Sequence, residues 1–197
     1  MEPNRLDQFD KIVKMGKEGQ KSLNDYWFDF ALYTSFEYWL MVSFLIVPLI
    51  YLFFKIDKSK IFFMGFYGYS IHIFFSYIDL FGKNLGLWNY PFPVIPFIPG
   101  ISIDSSLIPV TFMLVYQWTL NYKKNYYVYT IITSAILSFI FKPLLVALGL
   151  FKMYGNINYF HLFVGYLLVI IIAKFITNVF LWTEKRYNNQ KNTKNLL

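Results

Sequence analysis

An all-α bundle of about five membrane-spanning helices is the fold class this sequence predicts, and three observations predict it. Hydrophobic residues make up 57% of the chain and charged ones 15%, a balance too apolar for an ordinary soluble domain of 197 residues. The apolar residues fall in repeated runs of about 17 to 25, close to the roughly 20 that a helix needs to cross hydrocarbon. Lys and Arg sit in the tails and beside those runs, as membrane topology requires. Spanning β-strands would be half as long and would alternate in polarity, which these runs do not.

The same features exclude other classes. A net charge of +7 would suit nucleic acid if the cations formed one interleaved patch, but they are dispersed, so no nucleic-acid partner is expected. Without cysteine the chain has no disulfide, thiolate catalysis or Cys-based metal site. No G-x-S-x-G, phosphate-cradling glycine loop or HExxH spacing occurs, and neither a metal nor a cofactor is expected.

Residues 1–37 form an N-terminal tail. Arg5, Asp7, Asp10, Lys11, Lys14, Lys17 and Glu18 interrupt any early apolar region, so no cleavable signal peptide is expected and the first span must do the targeting. Tyr26, Trp27, Phe28, Phe30, Ala31, Leu32, Tyr33 and Phe36 alternate with Asp25, Asp29 and Thr34, which predicts a short helix at headgroup level or an extension of helix one.

The membrane domain covers 38–183. Its first span, 38–54, is stopped by Lys55, Asp57, Lys58 and Lys60, with Pro48 as a kink point. In the second, 61–81, Gly65, Tyr69, His72, Ser76 and Asp79 recur at three- and four-residue steps, so one stripe faces protein. Pro91, Pro93, Pro96 and Pro99 then rule out a regular helix in the connection and favour extended or polyproline geometry packed on the bundle. Trp88 and Tyr90 read as interface anchors, with buried rings and wet polar tips.

The third span, 101–120, carries Asp104 and Pro109, with Thr111 on nearly the face of Asp104 and Gln117 turned elsewhere. The fourth, 126–150, places Ser134, Ser138 and Lys142 on one face, and Ser134 and Ser138 read as a helix-packing surface. The fifth, 159–182, has His161 near its start and Lys174 nearer its end, where the lysine is expected to snorkel outward. Residues 184–197 read as a polar, disordered tail. Lysines cluster after spans one, three and five, while the opposing short loops hold only Lys83 and Lys152. The positive-inside rule therefore predicts a multi-pass protein of the cell membrane with a cytoplasmic C-terminus.

Asp79, Gly82, the run LGLWNYP from Leu85 to Pro91, Pro96, Pro99, Asp104, LIPV from Leu107 to Val110, and Met113 to Gln117 together resemble an uncharacterised multi-pass membrane protein family of spore-forming Firmicutes. The resemblance extends from about helix one through helix five. It implies a five-helix integral membrane protein of a Gram-positive cell and brings no established activity. In that family's pattern an acidic residue often precedes the proline that is Pro143 here; this chain has Lys142, which puts any acid role at that site in doubt.

With the Pro-rich connection outside, Asp79, Asp104, Lys142 and His161 can meet as one outer polar cluster. Lys142 lies roughly 12 Å deep at 1.5 Å per residue, within its own reach of the surface. A charge at membrane depth faces the bundle or a wet cavity, so Lys142 is expected to pair with Asp104 or Asp79. The cluster can be a fixed ion pair, a ligand or ion site, or independently snorkelling groups. His72, deeper on the stripe of Asp79, reads as a hydrogen-bonded packing residue. The function expected first is non-catalytic: binding of a membrane lipid or small ligand, or of a membrane partner or second copy. A small transporter or channel component comes second, and a lipid-modifying enzyme using Asp79 and Asp104 as an acid/base pair third.

Overall fold

The computed structural model describes residues 4–30 and 32–194, with the side chains of 190–194 left aside. It is an all-α bundle in which four helices are long and apolar enough to cross a membrane: Phe36–Lys55, Lys58–Asn84, Tyr126–Ala147 and Tyr159–Asn189. A fifth pass, shorter, lies between the second and third of these, so the architecture fits about five spans. Helix α1 (Arg5–Asp29) precedes them; α2 (Phe36–Lys55), α3 (Ile61–Asn84), α4 (Ile108–Asn121), α5 (Tyr126–Ile136), α6 (Lys142–Ala147) and α7 (Tyr159–Lys194) follow. Between α3 and α4 lies the strand β1 (Trp88–Asn89), which pairs antiparallel with β2 (Lys152–Met153) between α6 and α7.

Two sets of contacts sort the connections into opposite ends. At one end Gln117 takes the Asp57 amide at 2.7 Å and donates to the Lys55 carbonyl at 2.9 Å, while Lys60 donates to Asn121 at 3.1 Å. At the other, Trp88 stands opposite Met153 in the β pair. Both strands leave their helices through a left-handed glycine, Gly86 at φ 67° and Gly149 at φ 71°, a conformation that glycine adopts without the strain of a side chain. The first can be named the lysine end and the second the loop end.

Helix α1 runs well beyond the short segment predicted at 26–36 and buries none of its residues. It is tied to the loop end by the Trp27 indole, which donates to the Pro93 carbonyl at 3.0 Å. At the far terminus α7 continues to Lys194, so the tail expected to be disordered is helical as far as it is described; 195–197 lie outside the described residues. Adding residues to an existing helix avoids the cost of nucleation, and no proline or glycine stops this one.

The third and fourth spans depart most from regular helices. Each contains a π-helical turn, Ile103–Leu107 and Leu137–Phe141, and each turn ends just before a proline, Pro109 or Pro143. Proline has no N–H to close the usual i to i−4 bond, and the wider turn moves the gap elsewhere. Ile108 instead bonds back to Ile103, and Lys142 to Leu137. Such interruptions leave no sharp trace in hydrophobic periodicity.

At the lysine end, hydrogen bonds from the Ser59 hydroxyl and from Lys60, with the Ser59 amide, hold the Asp57 carboxyl down to about 2. A depressed carboxylate stabilises the fold above its unfolded value of 3.8 and loses that contribution as pH falls through about 2. The α2–α3 turn should therefore open below pH 4 in wild type but show no such step in Asp57→Asn, as read by amide exchange at Ser59. The sorting of ends is open to a direct test, because the chain has no cysteine of its own. Single cysteines at Ser22 and Asn84 should react with an impermeant maleimide from one side of the membrane, and one at Lys123 from the other.

Candidate functional site

Asp79, on the last turns of α3, is 6% exposed and Asp104, in the first π turn, 7%. Burial of a carboxylate requires partners, and Asp79 has three. The Trp88 indole donates to its Oδ1 at 2.9 Å, the Tyr90 hydroxyl donates to the same oxygen at 3.0 Å, and the Lys83 ammonium sits 2.7 Å from Oδ2. Lys83 is one helical turn along the same face, which is why a sequence step of four suffices. Burial, with the carboxyls of Asp104 and Asp79 beside it, pushes the Tyr90 phenol well above its ordinary range, so it remains a donor.

Asp104 lies against Asp79, within hydrogen-bonding reach of its carboxyl. Both are covered by Gly100, where a Cβ would fall 2.5 Å from Asp104 Oδ2 and 2.6 Å from Asp79 Oδ2. The backbone of Asp104 is engaged as well. In the π register the missing N–H of Pro109 would have reached the Asp104 carbonyl; His72 Nδ1 donates to that oxygen instead, at 3.0 Å. His72 is thus the hydrogen-bonded packing residue the sequence predicts.

The four residues predicted as an outer cluster, Asp79, Asp104, Lys142 and His161, line one cavity of about 70 Å³, together with Trp88, Tyr90 and Phe151. They meet, but not in the expected pairs. Lys142 makes no carboxylate contact within 4.0 Å among the described residues; its ammonium lies 3.8 Å above the Phe151 ring and 5.4 Å from that of Tyr90. Lys83 already neutralises Asp79, and aromatic faces offer a buried cation an alternative partner. His161 stays at the exposed rim, its Nδ1 2.9 Å from Asn158 Oδ1.

Other expectations are corrected too. Trp88 and Tyr90 are buried to their tips rather than wet at an interface, because the buried carboxylate needs their donors. Ser134 and Ser138, by contrast, do pack as predicted: both are fully buried inside this chain, and Ser134 donates to the Thr130 carbonyl. Lys174 turns inward, its ammonium hydrogen-bonded to Tyr116 and 5.0 Å from the Tyr126 ring. Sequence reasoning missed Lys83 and Gly100. The i, i+4 spacing from Asp79 would have found the first; nothing but proximity to Pro99 marked the second.

A second cavity, of about 440 Å³, reaches the same two carboxyls from a different face of α3, past His72 and Ser76. Its outer wall is apolar: Tyr77, Leu80, Phe97 and Ile98 are each more than half exposed. The carboxyl pair therefore stands between an aromatic chamber and a groove that opens sideways from the bundle. Comparison with protein-family models, with curated proteins and with solved structures finds no match to this chain.

Removing single contacts should register as stability. Tyr90→Phe loses one hydrogen bond to a charged group, worth about 1.5 to 3 kcal/mol. Gly100→Ala forces a methyl against both carboxyls, an overpacking that costs about 1 to 3 kcal/mol. Both variants should unfold at lower temperature than wild type in detergent, while Phe97→Leu, on the exposed wall, should not.

Proposed function

We propose that this integral membrane protein binds an amphiphile, a lipid or small ligand with an apolar tail, without transforming it. The observation that carries the reading is the shared position of Asp79 and Asp104 between the small chamber and the sideways-opening groove. A tail can lie along Leu80, Phe97 and Ile98 in contact with the bilayer, while a polar head reaches Asp104 without leaving the membrane. Asp79 is committed to Lys83, Trp88 and Tyr90, so the free acceptor capacity is on Asp104, which suits a head that donates hydrogen bonds.

Positive-inside counting supports an outward-facing loop end, since Lys55, Lys58, Lys123, Lys124 and Lys185 gather at the other. With the resemblance of the central stretch to a spore-former family, this makes the outer leaflet of a Gram-positive cell membrane the source of the ligand. The contact between two carboxyls favours a second reading, acid chemistry on the bound lipid, because a hydrogen bond between them contains a transferable proton. Transport finds less support: the half of the bundle below the cavities is filled by Met64, Tyr67, Ile71 and Phe112, all at 0% exposure.

Native mass spectrometry of the full chain in mild detergent tests the proposal. Wild type should retain a lipid-sized adduct, and Asp104→Asn should retain at least tenfold less, the loss of one charge-assisted hydrogen bond. A bare wild-type chain would sink the binding reading. An adduct whose mass changes with time in wild type but not in Asp104→Asn would favour the enzyme.

A further inference from the structure

At the lysine end, remote from the carboxyl pair, the bundle has another opening. Helices α2 and α5 both pack on α4, and between them runs a groove of about 590 Å³. Its polarity changes with depth. At the mouth lie Lys55, the last residue of α2, and Asn121, the last of α4. Leu114 and Ile132, six or seven residues inward on α4 and α5, form the floor roughly 10 Å below. An aromatic rim separates the two: Trp118 meets the ring of Tyr129 at 4.7 Å and that of Tyr122 at 5.6 Å.

The charge at the mouth is positive and not locally neutralised. Asn121 receives Lys60, and Lys60 in turn pairs with Asp57 at 2.9 Å. Lys55 makes no ion pair within 4.0 Å among the described residues, and Lys58, Lys123 and Lys124 are exposed around it. An opening of this size in a bilayer is filled, and its floor, where the Thr133 hydroxyl already donates to the Tyr129 carbonyl at 2.8 Å, offers more contact to an acyl chain than hydrogen-bond partners to water. The aromatic rim matches the level where glycerol and headgroup begin. A cationic mouth completes the complement of an anionic lipid.

We propose that the groove between α2 and α5 is a site for one anionic phospholipid, its phosphate on Lys55 and one acyl chain along Leu114 and Ile132. The site is independent of the loop-end cavity in residues, in charge and in the leaflet it draws from.

The full-length protein in mild detergent, offered equimolar phosphatidylglycerol and phosphatidylcholine with identical chains, is examined by native mass spectrometry. Wild type should keep phosphatidylglycerol in preference. Lys55→Gln, a change at an exposed position, should lower that preference roughly fivefold, the contribution of one lysine near an anionic headgroup. Thr133→Trp fills the groove without altering charge and should abolish the preference for phosphatidylglycerol, whereas Asp104→Asn should leave that preference unchanged. Equal retention of the two lipids by wild type would overturn the proposal. So would an unaltered preference in Lys55→Gln, a preference that survives Thr133→Trp, or loss of the preference in Asp104→Asn.

Discussion

A carboxylate held inside an apolar bundle is the constraint from which the loop end of this protein follows. Asp79 can be buried there only with donors around it, and the chain supplies them from three successive places: Lys83 one turn on, then Trp88 and Tyr90 after the helix has ended. Those bonds turn the connection back over the bundle. Gly86 allows the reversal, β1 is fixed by its pairing with β2, and the prolines carry the backbone across the top to Gly100, where it rests on both carboxyls. A connection that reads as interfacial is in fact the lid of a buried polar site.

The prolines of the third and fourth spans have a related effect. Each removes a backbone donor at membrane depth, where a stranded carbonyl finds no water. At Pro109 the cost is met by a wider turn and by His72, and the outcome is that Asp104 is held from both its carbonyl and its side chain. At Pro143 a similar turn directly precedes Lys142, delivering the ammonium to the Phe151 ring. The irregular turns thus occur at the two charged residues that are least tolerable in a regular helix facing lipid.

Much of the fold was legible because membrane burial leaves a coarse signal. Long apolar runs and lysine stops locate the first four spans within a few residues, though α7 runs well past the predicted end of the fifth. The predicted inward stripe of α3 holds at His72, Ser76 and Asp79 but not at Gly65 and Tyr69, which are exposed; the buried face there runs through Met64, Tyr67, Gly68 and Ile71 instead. The convergence of Asp79, Asp104, Lys142 and His161 follows from depth alone, since groups at similar height in a narrow bundle have few places to go. Which of them touch does not follow. Lys142 with Asp104 or Asp79 was the obvious pair by charge, but partner choice depends on rotamers and on competitors such as Lys83 and Phe151, which sequence spacing does not rank. Nor could Trp88 and Tyr90 be told from belt residues, because the same amphipathic ring serves a wet interface and a buried carboxylate equally well. The length of α1 was missed for another reason: its many charges conceal a helix that buries nothing.

Charge is distributed differently at the two ends, and the difference sets what each can hold. At the loop end the buried cations, Lys83 and Lys142, share one site with two carboxyls, so that site is close to neutral and discriminates by hydrogen bonding and shape. At the lysine end Asp57 accounts for Lys60, leaving Lys55 and its exposed neighbours with a surplus that only an outside anion can offset. Between them lies a plug of packed side chains in which Tyr67 and Tyr126 share a hydrogen bond of 2.6 Å, and Lys174 points its ammonium at Tyr116. A cation there is stabilised by ring faces and a hydroxyl instead of a carboxylate, so it adds no anion that would weaken the pull of the lysine end on acidic lipid. The charges that anchor the protein and those that line its cavity can therefore act without competing for the same partner.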